Sequence, residues 1–184
     1  MIHYNYSARQ LESEAEKLLF RFDPERLKKP KSIDVYAVIE KCLGVEYDWK
    51  YITPDQSILG ATAFNAGYIW VWPEPCYREG MLPSKAYLPK GCILIDATLT
   101  ESGNRGRENF TVMHEVFHQV LHKNCFFNFM FCRTALFADT DSFNDSHFCC
   151  SFPVALLVFN FIGFYPPILT ISLISVISSR CSKQ

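Results

Sequence analysis

The sequence predicts an α+β fold in which N-terminal helices precede a small β-sheet and a later helix carries the candidate chemistry. Residues 7–22 and 28–47 have apolar side chains at helical spacing. Residues 61–72 and 92–99 are instead rich in β-branched or aromatic side chains, which is typical of strands. A third helical pattern ends at residue 122, so the order is helix, helix, strands, helix.

The two N-terminal helices are marked by their ends as well as by their apolar faces. Ser7 stands where a serine hydroxyl caps a helix. The apolar face of this first helix comprises Leu11, Ala15, Leu18, Leu19 and Phe22. Gly44 follows the second helix as a C-terminal cap. The apolar face of the second helix comprises Val35, Val38, Ile39 and Cys42.

The strand region contains one predicted hairpin and one predicted buried strand. In residues 61–72, "ATAFNAGYIWVW", a turn at Asn65-Ala66-Gly67 separates two strand-like runs. Residues 73–91 contain four prolines and two glycines, so we expect a loop. Residues 92–99, "CILIDATL", are expected to form a buried strand, and a polar loop then leads into the last helix.

Composition and charge exclude some classes of protein. The chain of 184 residues has a formal net charge of −1 and no basic run, so nucleic acid is not expected as a direct partner. The N-terminal residues are polar and show no secretory signal, which predicts a cytoplasmic protein. The eight cysteines form no CxxC pair, so we expect buried free thiols rather than a structural zinc knuckle.

The segment "TVMHEVFHQVLH", residues 111–122, carries the candidate site. Residues four apart on a helix project side by side, so His114 and His118 are placed to bind one tetrahedral zinc ion. Glu115 lies about 100° around the helix axis. From there its carboxylate can take a proton from a water in the open position of the metal. This division of roles is the mechanism of the H-E-x-x-H motif.

The alternative is a core helix that happens to carry polar residues. An apolar face is present, comprising Phe110, Met113, Phe117, Val120 and Leu121. His114 and His118 lie beside that face, and burying two imidazoles costs free energy unless a partner satisfies them. We therefore favour the metal site. His122 continues the face of the two histidines and is interpreted as a supporting or surface residue rather than a ligand.

The surroundings of the motif resemble a known family. Residues 91–122, "GCILIDATLTESGNRGRENFTVMHEVFHQVLH", closely resemble the ImmA/IrrE metallopeptidases, and "SIDVYAVIEKCLGVEY" and "ILGATAFNAGYIWV" look like upstream segments of that family. The resemblance covers residues 32–123, within a predicted metallopeptidase domain 1–123. It implies a zincin-like fold and a Zn²⁺-dependent peptidase, often carried on mobile elements. It also implies a helix-turn-helix repressor as the protein substrate.

The resemblance implies in addition an acidic third zinc ligand, usually glutamate, on a helix after the motif. No glutamate follows Glu115 in this chain. The remaining candidates are Asp139, Asp141, Asp145 and His147. Asp145 stands at the right distance, but its context "FNDSHFCC" does not match, and an exposed loop aspartate is the favoured interpretation. The third ligand is therefore left unassigned, and its loss would impair catalysis.

Residues 124–184 differ sharply in composition from the rest of the chain. They hold eleven of the sixteen phenylalanines and five of the eight cysteines, with only six charged residues. One interpretation is a membrane-associated tail, since residues 148–179 form an apolar stretch long enough to span a bilayer, although prolines interrupt it. The other, which we favour because glutamate is absent, is a frame-shifted or truncated end.

Three functional hypotheses follow. The leading one is a zinc endopeptidase of the ImmA/IrrE type. The second is a non-catalytic binding module that keeps the peptidase fold, and the third is a membrane-anchored metallopeptidase. For the endopeptidase, we expect Ile93, Leu94 and Ile95 to form an exposed edge beside the active-site cleft, where an extended substrate adds as a further strand.

Overall fold

The computed structural model describes residues 6–29, 31–123 and 129–133. These residues form both helices and small sheets, which confirms the predicted α+β class. They fall into two compact units, one ending at Cys42 and one beginning at Leu43. The predicted domain 1–123 did not include this division. The predicted tail, residues 124–184, lies outside the described residues except for one strand at 129–133.

The first unit is built on helix α1, Ala8–Phe22, and a 3₁₀ turn, Pro24–Leu27. The Ser7 hydroxyl accepts a hydrogen bond of 3.3 Å from the backbone N–H of Gln10, and the Gln10 side chain accepts one of 2.8 Å from the backbone N–H of Ser7. This reciprocal cap confirms the predicted start of the helix. Four residues of the predicted apolar face are buried, namely Leu11, Ala15, Leu18 and Leu19.

The second predicted helix is split by a change of helical type. Asp34 caps it, since its carboxylate accepts hydrogen bonds from two backbone N–H groups of the first turn. Helix α2, Val35–Val38, is followed by a π-helical turn, Ile39–Leu43. The chain leaves this turn at Gly44, whose φ of 61° is left-handed. Glycine adopts that conformation without strain, as the predicted C-terminal cap requires.

The second unit contains six strands: β1, Tyr47–Lys50; β2, Ile58–Ala63; β3, Gly67–Val71; β4, Ser84–Leu88; β5, Ile93–Asp96; and β6, Phe129–Arg133. Four of them form one sheet in the order β1-β5-β2-β6. β1 runs parallel to β5, and β2 runs antiparallel to both β5 and β6. Strands β2 and β5 are therefore paired along both of their edges.

Strands β3 and β4 pair with each other in a separate antiparallel sheet. The predicted hairpin between β2 and β3 is wrong, because β5 and β6 already occupy both edges of β2. The prediction of a loop over residues 73–91 is wrong in part, since this segment contains β4. Pro83 and Pro89, which suggested a loop, stand just outside the two ends of this short strand.

Both sheets contribute side chains to one apolar cluster, which comprises Ile52, Ala61, Ala63, Ile69, Val71, Leu88, Cys92 and Leu94. Side chains alternate between the two faces of a strand. Gly60 and Thr62 of β2 therefore lie on the opposite face from Ala61 and Ala63. That opposite face belongs to the helical side of the sheet.

Helix α3, Ala97–Glu101, begins immediately after β5. Asp96 is fully buried, and its carboxylate accepts hydrogen bonds from the N–H groups of Thr98 at 3.1 Å and Ile52 at 2.9 Å. This cap ends the strand at Asp96 and starts the helix. The strand predicted over 92–99 is therefore too long, because its last three residues are helical.

Helix α4, Arg105–His122, carries the motif as predicted and packs on β2 and β5. Asn104 caps its N-terminus by accepting a hydrogen bond of 3.1 Å from the N–H of Arg107. Within residues 6–29 and 31–123, no helix is both long and apolar enough to cross a membrane. The apolar stretch 148–179 lies outside the described residues, so its predicted membrane association stays a prediction.

Candidate metal centre

His114 and His118 lie one turn apart on α4, and their side chains meet. Their Nε2 atoms are 3.0 Å apart, and their ring centroids are 4.6 Å apart with the ring planes at 82°. A carboxylate oxygen of Glu115 completes a group whose ligand atoms all lie within 4.8 Å of one another. The structure thus brings together the three residues that the motif predicted, in a group that could hold a metal ion.

The spacing of the two imidazoles is compatible with both binding one metal ion. Two nitrogens on one tetrahedral zinc ion lie roughly 3.3 Å apart when the zinc–nitrogen bonds are about 2.0–2.1 Å. The observed distance is 3.0 Å, so a small movement of the two side chains would bring the nitrogens to that separation. Among the residues that the structure describes, no further side chain joins His114, Glu115 and His118. The candidate third ligand, Asp145, lies outside those residues.

Burial keeps the two imidazoles in the form that binds metals. Removal from water, and then the neighbouring His122, lower the pKa of His114 from its ordinary 6.5 to about 4. The same loss of hydration, together with His114 and His122, lowers the pKa of His118 well below its ordinary value. Metals bind neutral imidazole. At neutral pH the pair is therefore ready to bind a cation without first losing a proton.

Glu115 is fully buried, and its carboxylate lies against β2. The Thr62 hydroxyl donates a hydrogen bond of 2.7 Å to Glu115 Oε2. A Cβ atom added at Gly60 would stand only 2.6 Å from Glu115 Oε1. The missing side chain at position 60 therefore leaves the space that the carboxylate fills, and β2 forms one wall of the site.

Gly60 and Thr62 were not identified from the sequence, although one signal pointed to them. Glycine inside a strand often marks the close approach of another group to the backbone. Thr62 lies two residues further on, and residues at this spacing share one face of a strand. The sequence does not show what approaches that face, because Thr62 and Glu115 are 53 residues apart along the chain.

His122 is the third histidine of α4, and it is buried. Its ring centroid lies 5.5 Å from that of His118, but it is outside the group formed by His114, Glu115 and His118. The prediction that it is not a ligand stays a prediction. The alternative of a surface histidine is wrong, since only 7% of His122 is exposed. Burial lowers the pKa of His122, which favours an uncharged ring beside the pair.

Ile93, Leu94 and Ile95 do not form a substrate-binding edge. Their side chains are fully buried, and β5 lies between β1 and β2. Because both edges of β5 are paired, an extended peptide cannot add to this strand. The predicted role of these residues is therefore wrong. The run "CILI", residues 92–95, is apolar without alternation, a pattern typical of strands covered on both faces.

Comparison with protein-family models, with curated proteins and with solved structures found no match to this chain. The resemblance to the ImmA/IrrE family thus depends on the motif and its flanking residues, and it stays a prediction. The geometry of the histidine pair does not depend on that resemblance, since it follows from the positions of the two side chains on α4.

Proposed function

We propose that this protein is a zinc-dependent endopeptidase of the ImmA/IrrE type. The observation that carries the proposal is the group of His114, Glu115 and His118, whose ligand atoms lie within 4.8 Å of one another. Two neutral imidazoles beside a carboxylate provide the groups that H-E-x-x-H chemistry requires. The family-like context of residues 91–122 favours peptide hydrolysis over other zinc-dependent reactions.

In this proposal His114 and His118 would hold the zinc ion, since their Nε2 atoms face each other across 3.0 Å. There the ion would lower the pKa of a water and polarise a peptide carbonyl. Glu115 accepts the proton of the attacking water, because its carboxylate is the acid–base group beside the histidine pair. Glu115 then donates the same proton to the leaving amine, which restores its carboxylate.

The proposed substrate is a repressor-type regulator with a helix-turn-helix fold, as the family resemblance implies. The formal net charge of −1 gives the chain no general attraction for nucleic acid, so the regulator itself would be recognised. A non-catalytic binding module is the second candidate. This candidate is favoured by the small number of metal-binding side chains, because the described part of the chain adds only Glu115 to the two histidines.

The test is cleavage of a purified helix-turn-helix repressor, and of a mixture of internally quenched fluorescent peptides, by the zinc-loaded full chain. The wild-type protein should cleave, and a chelator should abolish cleavage. Glu115→Gln should keep the metal and lose about 100-fold or more of kcat, the usual range for a general base. Cleavage that survives Glu115→Gln would assign proton transfer to another group. Zinc binding without cleavage would support the binding module instead.

A further inference from the structure

We propose that Thr62 and Gly60 are positioning residues that fix the orientation of the Glu115 carboxylate. The catalytic consequence rests on the proposed function, whereas the contacts themselves belong to the fold. Thr62 donates to one carboxylate oxygen, and Gly60 leaves the space that the other oxygen enters. The two residues thus restrict the position of both carboxylate oxygens of Glu115.

The hydroxyl of Thr62 has one proton and two acceptors within reach. Glu115 Oε2 is 2.7 Å away, and the backbone carbonyl oxygen of Glu115 is 3.4 Å away. The shorter contact, to the carboxylate, has the usual length of an O–H···O hydrogen bond, whereas 3.4 Å is long for one. The proton therefore lies on the carboxylate side, where it restricts rotation of the carboxylate about its last side-chain bond.

Gly60 determines how far the Glu115 side chain can reach towards the sheet. A Cβ atom at position 60 would stand 2.6 Å from Oε1, 2.9 Å from Cγ and 3.0 Å from Cδ of Glu115. These are contacts with three atoms of a fully buried side chain, which has little room to move aside. Any larger residue at position 60 would therefore displace the carboxylate.

Strand β2 is a firm support for both contacts. Gly60 and Thr62 each pair with one residue of β5 and one residue of β6. Their spacing places them on the same face of the strand. A carboxylate held by a strand that is itself paired on both edges starts close to its reactive orientation, and such preorganisation raises the rate of the step that uses it.

The first test compares Thr62→Val, which keeps the shape and removes the hydroxyl, with Thr62→Ser, which keeps the hydroxyl. Both are made in the full chain. Thr62→Val should lower kcat by about 10-fold or more, while KM and zinc content stay within roughly twofold. Thr62→Ser should return kcat to within about threefold of wild type. A wild-type kcat in Thr62→Val, or a loss that serine does not restore, overturns the catalytic role of Thr62.

A matched pair of glycine variants tests the proposed steric role of Gly60. Gly60→Ala should lower kcat by about 10-fold or more at unchanged zinc content. Gly106→Ala is the control, because its Cβ would meet only Asn104 Oδ1 at an ordinary 3.6 Å. If the two variants have the same kcat, Gly60 does not position Glu115.

The second readout needs neither metal nor cleavage. In apo-protein labelled with ¹³C at the glutamate carboxyl groups, the Glu115 signal is identified by its loss in Glu115→Gln. It should shift in Thr62→Val and Gly60→Ala and return towards its wild-type position in Thr62→Ser. Thr62→Ala replaces Thr62→Val if the latter does not fold.

The two readouts separate the two proposals. An unchanged Glu115 signal in Thr62→Val overturns the positioning role, whatever the activity. A shifted signal in a chain whose wild type does not cleave leaves the positioning contacts established and removes the peptidase function.

Discussion

The side-chain amide of Gln119 donates a hydrogen bond of 2.9 Å to the backbone carbonyl of Gly91. Gln119 follows the ligand candidate His118 on α4, and only 6% of it is exposed. Gly91 has a φ of 86°, and a Cβ there would meet Val45 at 2.9 Å, so this turn is confined to glycine. This buried hydrogen bond therefore links α4 to the turn that precedes β5.

We expect Gln119→Leu to destabilise the protein by about 1–3 kcal/mol, because the carbonyl of Gly91 would remain buried after losing this donor. Urea unfolding followed by circular dichroism measures the loss. Glu16→Gln on α1 is the control, since Glu16 is exposed and its replacement should change the free energy of unfolding by less than about 0.5 kcal/mol. Equal losses in the two variants would show that the hydrogen bond of Gln119 contributes nothing specific.

Zinc binding should depend on two of the three histidines of α4. The wild-type chain is expected to bind zinc, and His118→Ala to lose it, because the remaining imidazole of His114 cannot hold the ion alone. His122→Gln should bind as wild type, since His122 lies outside the candidate group. Metal content after dialysis measures this. Equal zinc in wild type and His118→Ala would remove the metal site.

The stability of the metal-free protein should fall as the pH is lowered from about 6.5 towards 4. The pKa of His114 falls from 6.5 to about 4 on folding, and the pKa of His118 is lowered too, because both rings are buried. Within this window the unfolded chain binds more protons, so acid favours unfolding, and the full stability is present above pH 6.5. For His114 alone the loss is about 1–3 kcal/mol.

The measurement is urea unfolding in the presence of a chelator at several pH values between 7.5 and 4. The double variant His114→Asn, His118→Asn removes both titrating rings and isolates their contribution. Its stability should fall less over the same range. An identical pH dependence in wild type and the double variant would show that these histidines already have ordinary pKa values in the folded protein.

Asp145 is expected not to be the third zinc ligand. Its sequence context "FNDSHFCC" does not match the family pattern. Asp145→Ala in the full chain should therefore keep the zinc dissociation constant within about twofold, whereas loss of a true ligand costs more than the 10- to 100-fold typical of groups that merely support ligands. A competition titration with a chromogenic chelator measures it, with His118→Ala as the reference.

Patterns that repeat within a few residues were predicted well. The cap and buried face of α1, and the pairing of His114 with His118, need only helical geometry and residues less than five apart. The two histidines meet because an α-helix brings residues four apart onto one side. Such features depend little on the rest of the fold.

Features that depend on distant partners were missed or mistaken. The apolar residues 93–95 predict a buried strand but not its neighbours, so the place of β5 between β1 and β2 was not predicted. β3 was assigned to the wrong partner for the same reason. Glu115 and Thr62 are in contact although they lie 53 residues apart in the sequence, and no local pattern encodes that contact.

Strand β2 faces two environments at once. Ala61 and Ala63 belong to the apolar cluster shared by both sheets, while Gly60 and Thr62 face Glu115. Because interiors are closely packed, enlarging Ala61 would shift the strand by a fraction of an ångström. That shift would reach the carboxylate directly. A substitution that touches only the hydrocarbon interior, with no atom near the histidines, is thus expected to move the Glu115 carboxylate as well as to lower the unfolding temperature.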